Sequence, residues 1–337
     1  MFRVLLRGVF PLLACLSGAL PLHAQSPGLP DADYRITSVQ EWDSIAEGLR
    51  RGAWTMRAQS DFFGTDTRGR TLDDDWNEFV VAREVLARLD VLREKAMAQT
   101  ATADSAGLQS TLNDATPLLV TQIYAAALVM TYWSSEVAVE YHRATLDPWL
   151  DRASGEQKKE VRDHIAATMQ SLVKALEDGL TETSLEKKTE LVNALATTRR
   201  TANDYYNQQR RGLLEKLATL PGAPQLRSRK RESACPPPVM PLTGKAIPSL
   251  AKGNVSPSEN YPPKARIADI EASVILQVSI SETGCMEFAQ VIETSGVEEL
   301  DEAALLWAER AKFVPAEKDQ KPAAGTMPFR FTYQIRE

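Results

Sequence analysis

Histidine and cysteine are almost missing: three of each in 337 residues. His23 and Cys15 fall within the first 24 residues, so His142, His164, Cys235 and Cys285 are what the rest of the chain offers. They form no HExxH and no CxxC, the spacings that place zinc ligands on one helix face or one turn. A phosphate-cradling glycine loop is missing too, and Ser295-Gly296 lacks the flanking pattern of a nucleophile elbow. Positive charge is in deficit, with 39 Lys and Arg against 45 Asp and Glu and a formal charge of -6. A net acidic surface suits neither nucleic acid nor anionic lipid. The run "DDDW" at Asp73–Trp76 could suggest carboxylate chemistry, but acids in a first helical turn complement the helix dipole. No catalytic residue, cofactor or metal is expected, and an enzyme is not the expectation.

The chain does have an exported protein's beginning. Arg3 and Arg7 precede an uncharged, mostly apolar stretch from Gly8 to Leu22, and "LHA" precedes Gln25. This reads as a secretory signal cut after Ala24. The stretch is short for a bilayer span, which needs about 20 residues, and Pro11 and Pro21 interrupt it. Retained, it would associate the protein with the inner membrane; a lipidated Cys15 is a third reading. Without Arg3 and Arg7 the basic count falls to 37 against 45 acids. Export makes one disulfide permissible, Cys235 to Cys285; the other reading is two separate thiols.

Residues 25–36 are a lead-in, and helical periodicity then dominates 37–219. Val39, Trp42, Ile45, Leu49 and Trp54 recur at helical spacing. Thr71 with Asp74 predicts a capping box before one helix whose face is Phe79, Ala82, Leu86, Leu89, Leu92 and Ala96. Ser154 with Gln157, and Thr183 with Glu186, predict two more starts. The Trp residues at 42, 54, 76, 133 and 149 read as core anchors. Ala115–Ser135 carries no charge, with Asp114 as its expected cap and Pro117 in its first turn. It is either a bilayer span or a helix surrounded by protein. Neighbouring amphipathic faces need a partner, which favours the second. Short connections favour an antiparallel bundle.

Residues 220–258 are proline-rich, without sustained periodicity, and read as a linker; "RSRKR" at 227–231 reads as a solubilising cluster within it. Beyond 259 the period switches to two. Val274, Leu276, Val278 and Ile280 alternate with Ile275, Gln277, Ser279 and Ser281. "SETG" supplies a hairpin turn, "CMEFAQVIE" a returning strand, Leu300–Ala311 a helix and "MPFRFTYQI" a last strand with Phe329, Phe331, Tyr333 and Ile335 on one face. The fold class expected is α+β: an all-helical antiparallel bundle followed by a small β-β-α-β domain at 259–337.

That last unit resembles the C-terminal domain of TonB-family energy transducers. The marks are Tyr261-Pro262, Gly284 in the hairpin, Thr294-Ser295-Gly296, Leu300-Asp301-Glu302-Ala303-Ala304, Phe313-Val314-Pro315-Ala316 and Pro328-Phe329-Arg330-Phe331. The resemblance starts near residue 255 and leaves the helical region unassigned. It implies a periplasmic protein that binds the peptide segment of an outer-membrane transporter, or another envelope protein, by strand addition. It also implies inner-membrane motor proteins as partners. A strand edge can accept an extended peptide, and the last strand is the candidate, with Met327, Phe329, Arg330, Phe331, Tyr333 and Ile335. The same edge could pair two copies into a homodimer. Tyr261, Pro262, Gly284, Ser295, Gly296, Leu300, Asp301, Ala304, Phe313 and Pro315 are structural marks.

Two departures stand out. Ala272 occupies a position where the family commonly has Gly. A cleaved leader, moreover, would leave no anchor through which force could be transmitted. A linker of forty residues reaches only about 120 Å when extended. The alternative is a periplasmic protein-binding or scaffold module that transduces nothing.

Overall fold

The structure is a computed structural model that describes residues 29–30, 33–63, 72–217, 227–232, 244–254 and 260–334. The expected leader at residues 1–24, Thr71, Cys235 and Ile335 lie outside the described residues. The architecture is α+β, with a long helical region followed by an antiparallel sheet.

Helix α1 (Val39–Phe63) begins at a reciprocal cap. The Glu41 amide donates to Ser38 Oγ at 3.1 Å, and the Glu41 carboxylate accepts from the Thr37 amide at 2.8 Å. The single helix expected from Trp76 onward is broken. A short turn, α2 (Leu72–Asp75), leads into a π turn at Trp76–Val80, closed by the Val81 amide on the Trp76 carbonyl at 2.9 Å. Ala82 then leaves helical geometry, and α3 (Arg83–Ala101) starts afresh. Trp76 and Val80 are both buried across the π turn. Of the expected face, Leu89 and Ala96 are buried, while Phe79, Ala82, Leu86 and Leu92 are half-buried.

Helix α4 (Ser105–Leu150) starts ten residues earlier than expected. Its cap is Asp104, not Asp114: Asp104 Oδ1 accepts the Gly107 amide at 2.9 Å. Pro117 therefore lies inside the helix and leaves the Asn113 carbonyl without its usual donor. Asn113 and Pro117 are both exposed, so water can serve that carbonyl. Among the described residues α4 is the one helix long and apolar enough to cross a membrane. Yet 72% of its apolar window is buried by protein, as a surrounded core helix requires.

Helix α5 (Gly155–Thr181) is capped as expected by Ser154, which accepts the Gln157 amide at 3.3 Å. Helix α6 (Leu185–Leu217) is capped by Ser184 and not Thr183. The Glu182 carboxylate instead takes up the Thr183 and Ser184 amides at 2.7 and 2.9 Å.

Contacts divide the chain inside the helices, not at the proline-rich segment. One compact unit is 1–139 with 166–201; the other is 140–165 with 202–337. In the first, Ile36, Trp42, Ile45, Leu89, Leu112, Ala115, Leu119 and Ile123 form a core cluster. Tyr124 meets Thr189 at 3.2 Å and Ser134 meets Arg199 at 3.1 Å. Both pairs are separated by 65 residues, so α4 and α6 run parallel there, as two helices do when α5 returns between them.

The second unit holds the ends of those helices and the sheet domain. Its strands are β1 (Ser228–Lys230), β2 (Ser249–Leu250), β3 (Ala272–Ile280), β4 (Met286–Glu293), β5 (Phe313–Val314), β6 (Ala316–Lys318), β7 (Lys321–Ala323) and β8 (Gly325–Tyr333). Helix α7 (Pro263–Ile267) precedes β3, and α8 (Glu298–Arg310) follows β4. The main sheet is antiparallel, in the order β1-β4-β3-β8. Val274, Leu276, Val278, Ala289, Val291, Phe331 and Tyr333 are buried, as are Leu300, Ala304, Trp307 and Ala308 of α8. Burial alternates along β3 and β8 because successive side chains point to opposite faces, and β4 departs from it where its register with β3 shifts.

Candidate functional site

The basic cluster read as part of a loose linker is an edge strand. Ser228, Arg229 and Lys230 pair with Gln290, Ala289 and Phe288 of β4. Arg229 donates to Glu309 at 2.6 Å and to Glu302 at 3.0 Å, and Arg227 pairs with Glu298 and Glu302. The cations are thus held against the acidic side of α8. This strap covers the outer edge of β4.

The other end of the sheet is β8. Strand β8 pairs with β3 from Ala272↔Tyr333 to Ile280↔Gly325, and among the described residues no strand pairs with its far side. The backbone phase along that far side follows from the hydrogen bonds of the opposite edge. The Val291 amide donates to Arg227 O at 2.8 Å and the Arg231 amide to Glu287 O at 3.0 Å. Glu287 and Val291 thus face β1, so Phe288 and Gln290 face β3. In an antiparallel ladder the hydrogen-bonding direction alternates residue by residue. Gln277 and Ser279 then face β4, and Leu276 and Val278 face β8. Met327, Phe329 and Phe331 are turned to β3, leaving Thr326, Pro328, Arg330 and Thr332 with backbone groups toward that far side. The proline fits this phase, since a residue without an N–H belongs where no sheet bond needs one.

The side chains expected to form the docking edge divide by face. Phe331 and Tyr333 are fully buried, and Met327 and Phe329 are half-buried. Phe329 stacks on Trp307 with centroids 4.9 Å apart, and Phe331 meets the same indole edge-on at 5.2 Å. The Tyr333 hydroxyl donates to Leu300 O at 2.8 Å. These aromatics bind β8 to α8. What the edge presents outward is backbone with Thr326, Pro328, Arg330 and Thr332, all exposed. Of these only Arg330 was expected from the sequence; alternation and the proline were the signals for the other three.

The structural marks have local work. Gly284 has φ +79° in the β3–β4 turn, and its amide donates to Ser281 O at 3.0 Å. Cys285 follows it, half-buried. Its proposed partner Cys235 lies outside the described residues. Asp301 Oδ1 accepts from the Ser295 amide at 2.9 Å and hydroxyl at 2.7 Å, while Oδ2 accepts from the Thr294 hydroxyl at 2.5 Å. Burial pushes the Asp301 carboxyl above its usual value despite those bonds. Gly296 has φ +80°, and its carbonyl accepts from Trp149 Nε1 at 2.8 Å. Tyr261 is buried and donates to Ile270 O. Leu300, Ala304, Phe313 and Pro315 are buried, and Pro262 precedes α7.

Among the described residues no group of three His, Cys, Asp or Glu could hold a metal. His142 Nε2 meets the Ala268 carbonyl at 2.8 Å, and His164 stacks on Tyr205 at 3.9 Å. A polar surface depression is lined by Ser154, Glu156, Gln157, Glu160, Gln209 and Lys216.

Residues 257–334 match the family model of the Gram-negative bacterial TonB protein C-terminal region. No curated protein and no solved structure matches the chain. The hairpin glycine and the antiparallel sheet fall within the matched stretch, and residues 257–334 are similar to the TonB C-terminal domain, a family that serves energy transduction at the cell envelope.

Proposed function

We propose that this is a periplasmic TonB-like protein whose β8 edge takes up an extended peptide segment of an outer-membrane transporter. One observation carries the reading: the β4 edge is occupied by the chain's own β1, while the β8 edge has no strand beside it among the described residues. Unpaired backbone groups along an edge are completed by an added strand. Export through the leader, a motor partner in the inner membrane and a Cys235–Cys285 disulfide belong to the same proposal.

The second reading is a periplasmic scaffold that transduces nothing. It is favoured by the placement of the ends of α4, α5 and α6 in one compact unit with the sheet. A sheet domain built onto helices is a body for holding partners together, and not a head on a free tether.

The test is a photo-crosslinking amino acid at Arg330 of the full chain in Gram-negative cells. A matched substitution at Lys174 on α5, whose side chain is 76% exposed, is the control. Adducts with the periplasm-facing segment of an outer-membrane transporter, at 330 and not at 174, are expected. Equal labelling at both positions overturns the docking edge. The mature N-terminus separates the two readings. A start at Gln25 in the soluble periplasm favours the scaffold, and a retained Met1 in the membrane favours transduction.

A further inference from the structure

The far edge of β8, which no strand among the described residues pairs with, is not uniform. Thr326, Arg330 and Thr332 each turn an N–H and a C=O outward, whereas Pro328 turns out only its C=O. A strand laid along the whole edge would bring one of its own carbonyls opposite Pro328 and find no donor. An unmet carbonyl inside a ladder loses the bond it would have made and must stay wet.

We propose that Pro328 divides this edge, so that the partner it accepts is a short extended segment paired against Pro328–Thr332. Thr326 is left outside the continuous ladder. The proposal rests on β8 being the docking edge and adds what that edge selects. In the antiparallel sense the usable stretch offers the C=O of Pro328 and both groups of Arg330 and Thr332. It ends where β8 ends, at Tyr333. On the other side β8 begins at Gly325, one residue beyond the β6–β7 hairpin, so Thr326 is the single outward-facing strand position before Pro328. The same gap disfavours edge-to-edge pairing of two copies along their full length, a use to which natural edge prolines are put.

The experiment uses the full chain and a defined probe: a blocked, fluorescently labelled synthetic peptide of about ten residues alternating threonine and valine, titrated by anisotropy. Wild type is compared with Pro328→Ala, which restores the missing donor, and with Arg330→Pro, which removes one from the usable stretch. Neither substitution breaks a bond to β3, because the backbone groups of both residues face outward. One hydrogen bond gained or lost corresponds to about a two- to tenfold change in affinity. Pro328→Ala is expected to tighten the probe by that factor, or to increase self-association in sedimentation. Arg330→Pro is expected to weaken the probe by a similar factor. If Arg330→Pro weakens binding while Pro328→Ala matches wild type in both measurements, the division fails and the docking edge stands. If neither variant differs from wild type in any measurement, both the division and the docking edge fail. Both fail equally if none of the three proteins binds the probe.

Discussion

Arg210 donates from Nη2 to the Thr145 hydroxyl at 2.7 Å, with its side chain wholly buried in the second compact unit. Its other hydrogen-bond partners are neutral as well: Asn207 Oδ1 at 3.1 Å and His142 Nδ1 at 3.3 Å. The Ala268 carbonyl can only accept, so His142 carries its hydrogen on Nε2 and offers Nδ1 to the guanidinium. Burial pushes Arg210 down to about 10. Four residues of α4, α6 and the α7–β3 turn are thereby locked around one cation.

Removing that cation should be costly. Arg210→Ala leaves a cavity and three acceptors without their donor, and a loss of about 2–5 kcal/mol is expected. Thr145→Val, which deprives the charged donor of its shortest partner, should cost about 1.5–3 kcal/mol. Urea unfolding of the two variants checks both figures. A loss under about 0.5 kcal/mol for Arg210→Ala would mean the cluster holds nothing together.

Asp301 predicts a pH dependence. Burial is the main cause of its raised value, outweighing the Thr294 and Ser295 bonds. A carboxyl whose folded value exceeds its unfolded one holds its proton more tightly when folded. Its contribution is therefore fully present below the unfolded value and is lost as pH rises through the folded one. Comparison with Asp301→Asn cancels the other acids. Wild type should gain relative to the variant as urea melts move from pH 7 toward pH 4. The opposite slope would mean that the hydrogen bonds, and not burial, govern this group.

The readable parts of the chain were those with a local period. The β3–β4 hairpin alternates cleanly through Val274, Leu276 and Val278, and Gly284 marks its turn. Helix α5 announces itself with Ser154. The start of α4 was hidden because residues 105–111 carry no apolar stripe, so its cap at Asp104 has nothing amphipathic behind it. The break at Ala82 was hidden because Phe79, Ala82 and Leu86 still keep helical spacing across it. Strand β1 was illegible for a different reason. Three residues make no period, and its partner β4 lies about sixty residues away, beyond the reach of any local pattern. As for the candidate site, the position of β8 and its proline were legible. Which of its faces is already used by Trp307 was not.

The strap at β1 should be the easiest part of the sheet to release. Arg229 and its acids are partly exposed, so each pair is worth about 1 kcal/mol or less and weakens in salt. Arg229→Gln should raise hydrogen exchange at 228–231 with little change in global stability, and about 0.5 M salt should do the same to wild type. Unchanged protection in both would show that backbone pairing alone holds the strap.

The proposed Cys235–Cys285 bond closes a loop of about fifty residues, which on chain-entropy grounds is worth about 4 kcal/mol. Protein purified from the periplasm should resist alkylation at both cysteines until reduced, and the reduced form should unfold at lower urea. Labelling of both without reductant would show that the bond does not form.

Two glycines with the same backbone angle separate conformation from crowding. Gly253 and Gly284 both have φ +79°. An added Cβ at Gly253 would meet nothing within 4 Å, whereas at Gly284 it would run into the Phe313 carbonyl oxygen. That approach is built in, because the Phe313 amide donates to Gly284 O at 3.0 Å and ties the hairpin turn to β5. Gly253→Ala should therefore cost only the left-handed backbone penalty of about 1–2 kcal/mol. Gly284→Ala must add the displacement of β5 to the same penalty and should cost more. Urea unfolding of the pair isolates the difference. Equal losses would mean that the turn and β5 can part without consequence, and that Gly284 is needed for its φ alone.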